Sequence, residues 1–531
     1  MAKPLSYQQL TNFGVNGLNT QNNPATLDPS YLTSADNIVL RESGRISFRK
    51  GLKQKVVPTG VAIGSMVEHN DQGTNKIFAS HGTSIYTIDF TAPNAAFPSS
   101  GADVKHTVGS TTADWQFVNF NNRLHCFHTG VIPQRYDGSL SSGAKWTAHA
   151  TDPASITTLF DPSCGMGFYG RIWCGGVTEA KDVVYWSNLL DGDDWTGGDT
   201  GLLDLSKIWG TDEIVAIAPF YGKLIIFGTN NIAVYNSPTA VGSLALDEVI
   251  SGIGCVSRDS VQAIGDDLVF LSSTGLRSLA RTTEKDKLPL MDLTINIKDT
   301  VIRNIGNSTN VKSVYVESEG VYIMSFVDLN VQYVFDFKHI TPQEAPRITT
   351  WTFDNNREPA SMINTELYSG LLVGQKDGSI AGYEGYFDTD LAWVSSAASY
   401  TNAAITADVS SVWIPMGETV TASILKKMIL VLEGGSGAVL GLRWYKDFSI
   451  NSSSTTQINL APVTTGTTAL WGASTSLWGD VKYTPIFGLQ EYQTALTGSA
   501  KHLKLNMSIV SNGFDTSIQD LSLISLQGKI R

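Results

Sequence analysis

Residues 221–236 read YGKLIIFGTNNIAVYN, and the fold follows from how this stretch is built. The turn pair Gly222-Lys223 opens the continuous apolar run LIIF, and a second polar turn leads into the short aromatic strand NNIAVYN. Four apolar residues in a row between turn residues mark a strand covered on both faces, because a half-buried strand would alternate. Gly and Asn at the turns supply the positive φ that tight hairpins need.

The same unit recurs along the chain. Turn pairs fall at Asn75-Lys76 (before IFAS), Asn122-Arg123 (before LHCF), Gly170-Arg171 (before IWCG) and Gly222-Lys223 (before LIIF). They continue at Asp266-Asp267 (before LVFL), Glu319-Gly320 (before VYIM) and Ser369-Gly370 (before LLVG), with intervals of 47, 48, 52, 44, 53 and 50 residues. After each comes a turn and a short strand, usually aromatic: GTSIYTIDF, VIPQRYDG, DVVYWS, NNIAVYN, TGLRSLA, VQYVFDF and GSIAGYEG. A period near fifty matches a blade of four short strands and their turns. The reading is an all-β β-propeller of about six to seven blades; stacked β-sandwich domains with coincidental spacing are the rival.

Composition agrees. The 531 residues are 42% hydrophobic, 10% aromatic and 16% charged, with 49 glycines, a balance of short strands and tight turns. The repeat spans residues 56–400. Residues 1–55 are Asn-, Thr- and Pro-rich with few apolar runs and read as an extended N-terminal docking arm. Residues 401–531 carry ASILKKMILVLE, VLGLRWYKDFSI and HLKLNMSIVS around a polar stretch from Asn451 to Asp480 that reads as a long loop, and end in the alternating DLSLISLQGKI. This region reads as β-sandwich-like or ring-closing.

Cys126, Cys164, Cys174 and Cys255 are far apart and fit neither a zinc pattern nor a disulfide framework, so reduced, buried thiols are expected. The N-terminus lacks a signal-peptide core and no run approaches a membrane span, which points to a soluble protein folded in a cytosol-like compartment. Net charge is −12 but uneven: residues 1–60 carry seven Lys/Arg against three Asp/Glu, and residues 182–213 hold eight acids against Lys207. An acidic body does not grip DNA by counterion release, though it can surround it.

Candidate chemistry is sparse. The stretch DVVYWSNLLDGDDWTGGDTGLLDLSKIWGTDE gathers Asp191, Asp193, Asp194, Asp199 and Asp204. Paired carboxylates serve glycoside hydrolysis, and Asp191, Asp193 and Asp194 are a weak Ca²⁺ candidate, but no EF-hand spacing and no base-orienting partner accompany them. Solvated turns or a charged interface are the simpler reading. Ser187, Asp191, Gly192 and Trp195 are faintly similar to the Asp-box turn of sialidase propellers, with the wrong spacing. His125 and His128 lie three apart on a strand, hence on opposite faces, and would not share a metal. Nucleophile-elbow, P-loop and dinucleotide patterns are absent. The expectation is a structural protein, not an enzyme, with no catalytic residue, no resident metal and no cofactor. Arg41, Arg45, Arg49, Lys50, Lys53 and Lys55 form a basic cluster, either a solvated linker or an interface that meets the acidic 182–213 segment of an adjacent copy or another ring protein.

Several stretches together resemble a family. The opening NFGVNGLNTQNNPATLDPSYLTSADNIVLRESGRISFRKGL, through Gly17, Asn19, Asn37, Gly44, Arg49 and Gly51, is similar to the start of the tail nozzle proteins of short-tailed bacteriophages, also called tail tubular protein B or packaged-DNA stabilisation proteins. GRIWCGG with VVYWSNLLDGDDWT, then TDEIVAIAPFYGKLIIFGTNNIAVYN and SGIGCVSRDSVQAIGDDLVFLSSTGLRSL, extend the likeness, which is strongest over residues 165–280. The closing HLKLNMSIVSNGFDTSIQDLSLISLQGKIR resembles that family's last strands. The resemblance implies a virion tail protein assembled in the host bacterial cytoplasm, a homo-oligomer in a hexameric ring below the portal and the adaptor or head-to-tail connector ring. Its other neighbours would be tail fibre or tip proteins, and double-stranded DNA would pass through its lumen without specific binding, with no membrane insertion. Such a subunit would hold the genome in until ejection. The alternative is a polysaccharide-degrading or glycan-binding tail propeller.

Overall fold

The computed structural model describes residues 5–527 apart from 42–44, 57–58, 89–103, 109–112, 237–240, 280–291, 354–356, 369, 395–398, 417–420, 435–437, 461–488, 512 and 514. The chain is all-β and divides into two compact units, one of residues 54–332 and 353–383, the other of 1–53, 333–352 and 384–531.

The first unit is a β-propeller. Each blade is an antiparallel meander in chain order. The first blade is Ile63–Asp71, Thr74–His81, Ser84–Ile88 and Lys105–Thr107; the second is Gln116–Phe120, Arg123–His128, Val131–Tyr136 and Trp146–Ala148. The third is Cys164–Phe168, Arg171–Gly175, Val183–Trp186 and Gly201–Asp204, and the fourth Ile214–Phe220, Lys223–Gly228, Asn231–Asn236 and Ala245–Ser251. The fifth has, among the described residues, the three strands Gln262–Ile264, Asp267–Ser272 and Gly275–Ser278. The last, Pro359–Thr365, Gly370–Gln375 and Ile380–Tyr383, is completed by Leu52–Val56 from before the first blade. A hairpin, Val311–Val316 and Val321–Phe326, takes the interval between fifth and last, and the chain leaves the unit after Gln332. The expected six to seven blades are therefore six separate sheets plus this hairpin. Six of the seven repeat turns sit at or just before the start of a strand; Asn75-Lys76 lies inside Thr74–His81, whose turn is Gln72-Gly73. Each aromatic marker contains a strand except VQYVFDF, which lies within Val331–Ile340; Ser369, Asp89, Phe90 and Ala280 lie outside the described residues.

The apolar runs are continuous because each face of a blade enters a different seam. In LIIF, Leu224 and Ile226 pack with Trp173, Val184 and Ile214 between the third and fourth blades. Ile225 and Phe227 pack with Ile232, Leu268 and Phe270 between the fourth and fifth. Other clusters fill the seam of the first and second blades around Phe78, Trp115 and Leu124, and that of the second and third around Phe127, Phe160 and Trp195. The ring closes where Val56, Leu372 and Ile380 meet Ile63, Met66 and Ile77. Seam backbones approach closely: a Cβ on Gly64 would stand 2.3 Å from the Ala113 carbonyl oxygen. All four cysteines are buried and free, as their spacing suggested.

The second unit changes the domain division expected from sequence. Its seven-stranded sheet includes Ile38–Leu40, Ile46–Phe48, Thr516–Leu526, Ser423–Gly434 and Leu489–Ala495, with Leu5–Gln9 paired to Thr516–Leu526. Another sheet carries Gly17–Leu18, Tyr31–Asp36, Thr406–Ser411, His502–Val510, Val439–Lys446 and Thr456–Asn459. Residues 1–53 are thus strands among C-terminal strands, not a separate arm: short apolar pieces such as IVL and ISF suffice when long C-terminal strands pair with them. The closing strand Thr516–Leu526 belongs to this unit, and the ring-completing strand comes from the N-terminal side. The propeller's boundary falls at Tyr383, and residues 333–352 leave it. Most of the polar stretch from Asn451 to Asp480 lies outside the described residues.

Candidate functional site

The basic cluster is neutralised within its own chain. Arg49, 1% exposed, pairs with Asp388 at 2.6 Å and donates to Asn37 Oδ1 at 2.8 Å. Arg41 lies 3.4 Å from Asp515, Arg45 meets Glu433, and Lys53 lies 3.4 Å from Glu384. Lys55 sits over the Tyr368 ring, and the Lys50 carbonyl accepts from Arg49. The acidic neighbours expected from another subunit are Asp388, Glu384, Glu433 and Asp515 of the same unit, so the docking reading of this cluster is not carried forward. The family-like residues of the opening are structural too. Gly17 lies at φ 74°, where a Cβ would meet the Ile348 oxygen at 2.6 Å, Asn19 accepts two backbone N–H bonds, and the Gly51 N–H pairs with the Gly385 carbonyl. Gly44 lies outside the described residues.

The acidic turn between the third and fourth strands of the third blade does not gather its carboxylates. Asp194 caps its own turn, accepting from the N–H groups of Thr196 and Gly197 at 2.9 Å and from Asn188 Nδ2 at 2.8 Å. The backbone bond from Thr196, ahead of the others, lowers its pKa. Asp191 is half exposed and accepts the Asp193 N–H. Asp193 is buried and turned the other way, onto Arg123 at 3.0 Å and onto Arg135. Asp194 is taken up by its own turn, and Asp191 and Asp193 both lie near the Arg123 guanidinium, so the three do not make the Ca²⁺ site considered from sequence. Ser187 and Trp195, both buried, fix the turn as a packing element.

Spacing missed what Asp193 does meet. His125 Nδ1 and His149 Nε2 are 3.0 Å apart, and Asp193 Oδ1 lies 4.0 and 3.7 Å from them. These three residues have the right atoms to hold a metal ion. The hydrogen bonding argues against it. Trp195 Nε1 lies 3.0 Å from His149 Nδ1, and an indole N–H only donates, so Nδ1 accepts and the imidazole proton sits on Nε2. That proton bonds His125 Nδ1 and leaves neither nitrogen of the pair free to ligate as the ring stands. Arg123 and Arg135 add positive charge where a cation would sit. Burial pushes His149 down to about 3, with Arg135 adding to it, and His125 well below the usual imidazole value, with His149, Arg135 and Arg123 adding to it. Burial raises Asp193 against the pull of Arg135 and Arg123. Both histidines are inaccessible and neutral: a polar strut in the seam, invisible to spacing because Val131–Tyr136 and Trp146–Ala148 must fold back to bring His149 to His125.

A second network lies on the propeller axis. First strands of the first, second, fifth and last blades and of the hairpin line a cavity of about 220 Å³, with Ser65, Gln116, Gln262, Lys312 and Ser361 among its walls. Lys312 bonds Asp114 at 2.5 Å and Asp259 at 2.6 Å. Arg258 reaches across to Asp114 at 2.7 Å and to the Ser163 carbonyl at 2.5 Å. Burial alone would raise Asp114, but Arg258 and Lys312 outweigh it and hold it at about 2. Two cations and two carboxylates thus tie the second, third and fifth blades to the hairpin, with no net charge. The space admits waters or one small polar molecule, whereas the major groove of a DNA duplex alone is about 12 Å wide. Among the described residues no helix is long and apolar enough to cross a membrane.

No family model and no curated protein matches the chain. Among solved structures, the WD40 domain of Pan2 from Neurospora crassa aligns with 63% of this chain and 96% of its own length, at 7% identity and a TM-score of 0.38.

Proposed function

We propose that this chain is a structural subunit of a ring, the tail nozzle of a short-tailed bacteriophage, which forms the distal DNA exit channel and retains the genome until ejection. The observation that carries the reading is where the charge goes. Most cations described above are held by acids of the same chain and Lys55 lies on a ring, while the whole carries −12. Such a body repels phosphate, as the wall of a conduit for passing DNA should. The cavity between the blades, about 220 Å³, is too small for a duplex, so in this reading the DNA lumen lies between copies, in a homo-oligomer seated on an adaptor ring in the virion tail. The chain acts as a part and not as an enzyme.

Electron microscopy of the purified full-length protein, and of virions labelled on this chain, tests the reading. A sixfold ring on the tail axis is expected. Free monomers at all concentrations, together with no copy on the tail axis, would overturn it.

A further inference from the structure

Two exposed features of the chain are apolar and carry opposite charge. The first lies on the propeller. The turns joining first and second strands of the third and fourth blades are Tyr169-Gly170 and Tyr221-Gly222, with the tyrosines at φ 48° and 46°. Asn or Gly fills such a position at least cost, and the second blade uses Asn121-Asn122 there. A tyrosine is the strained choice. Yet these rings are 43% and 68% exposed, so neither is placed to fill the core. Leu189 and Leu190 beside them are 48% and 62% exposed, and Leu190 also has positive φ. The Leu190 N–H donates to the Gly170 carbonyl at 2.7 Å, and a Cβ on Gly222 would stand 3.3 Å from the Tyr169 hydroxyl, so the four side chains form one crest. Its charge is negative: Asp266 is exposed, Arg123 is shared among Asp137, Asp191 and Asp193, and Lys223 is paired to Asp247.

The second feature follows strand Val439–Lys446. Asp447 and Phe448 both have positive φ, and Phe448 and Ile450 are 50% and 92% exposed. Asp447 accepts from the N–H groups of Lys501 and His502, and the two cations Lys446 and Lys501 outnumber it at the tip. The described residues from Ser423 to Ser511 carry six Lys/Arg against three Asp/Glu.

We propose that the Tyr169–Tyr221 crest of one copy receives the Phe448–Ile450 tip of a second copy. The inference rests on the homo-oligomer reading above and names its contact. Charge complementarity pairs crest with tip and opposes crest on crest. Donor and receptor are different patches, so the contact is heterologous, the kind that closes into rings.

The test uses full-length Y169N/Y221N and F448N/I450N and reads mass by sedimentation velocity, with melting followed in parallel. Asn is well tolerated at the positive φ of Tyr169, Tyr221 and Phe448, which offsets in part the loss of the Phe448 ring contacts with Trp413 and His502 and of the bond from the Tyr221 hydroxyl to the Asp266 carbonyl, so both variants are expected to melt cooperatively and only slightly below the parent. The parent is expected as a ring and each variant alone as a monomer. An equimolar mixture should give a heterodimer, because one intact crest and one intact tip remain and the assembly cannot extend. D266K, which leaves both turns intact, should weaken assembly about tenfold, and K446D in the partner copy should restore it. Rings formed by either double variant, or a mixture that stays monomeric beside a parent ring, would overturn the contact and leave the ring standing. A parent that is monomeric at every concentration would overturn both.

Discussion

His149 is fully buried between an indole donor and a second imidazole, and its neutrality has a measurable consequence. Its folded pKa of about 3, and the lowered pKa of His125, lie below the unfolded value near 6.5. Between those limits only the unfolded chain takes up the protons. Stability is therefore full above pH 6.5 and falls as the pH drops toward 3, by about 1.4 kcal/mol per pH unit for each histidine. Asp114, held at about 2, contributes in the same direction but lower, from about pH 4 downward. Urea titrations at pH 7, 6 and 5 should show this decline, and His149→Gln should flatten it by about one proton. A pH-independent midpoint would contradict the strut. His125 was legible as a strand residue; its burial and its partners were not, because His149 lies 24 residues on and Asp193 in the next blade.

An element of this fold is a strand with two buried faces. The LIIF pattern reveals that much, and the turn residues reveal where the strand begins, since both are local matters of burial and backbone conformation. Which seam each residue enters is decided by the neighbouring blades. Ile63, fully buried where the last blade meets the first, tests this closure. Ile63→Ala should cost about 3 kcal/mol, as for other large-to-small core changes, and should show as a lower melting temperature. A loss under about 1 kcal/mol would mean that the seam is not a tight joint. Leu52–Val56 is the strand that sequence placed at the end of a docking arm, and it is the outer strand of the last blade. Nothing in LKQKV marks the distant strand Ile380–Tyr383 as its partner, because its alternation specifies a face and not a neighbour.

At the scale of the whole molecule the charge decides behaviour toward DNA. A chain of −12 whose basic residues are largely engaged within it should not retard a duplex fragment in a mobility-shift gel at about 150 mM salt. Retardation with a steep salt slope, several counterions released, would contradict the repulsive wall. The sequence by itself determined the β class, the blade repeat and its turns, the buried free thiols and the uneven charge, because periodicity, turn chemistry and composition are properties of contiguous residues. Only the tertiary structure decided that residues 1–53 join the C-terminal strands, that the N-terminal side closes the propeller, and that Arg41, Arg45, Arg49 and Lys53 meet acids of their own chain. It also brought Asp114, Arg258 and Lys312 together on the axis. Those outcomes depend on pairings between residues tens to hundreds of positions apart, and a strand's pattern fixes which face it buries without naming the strand it lies beside.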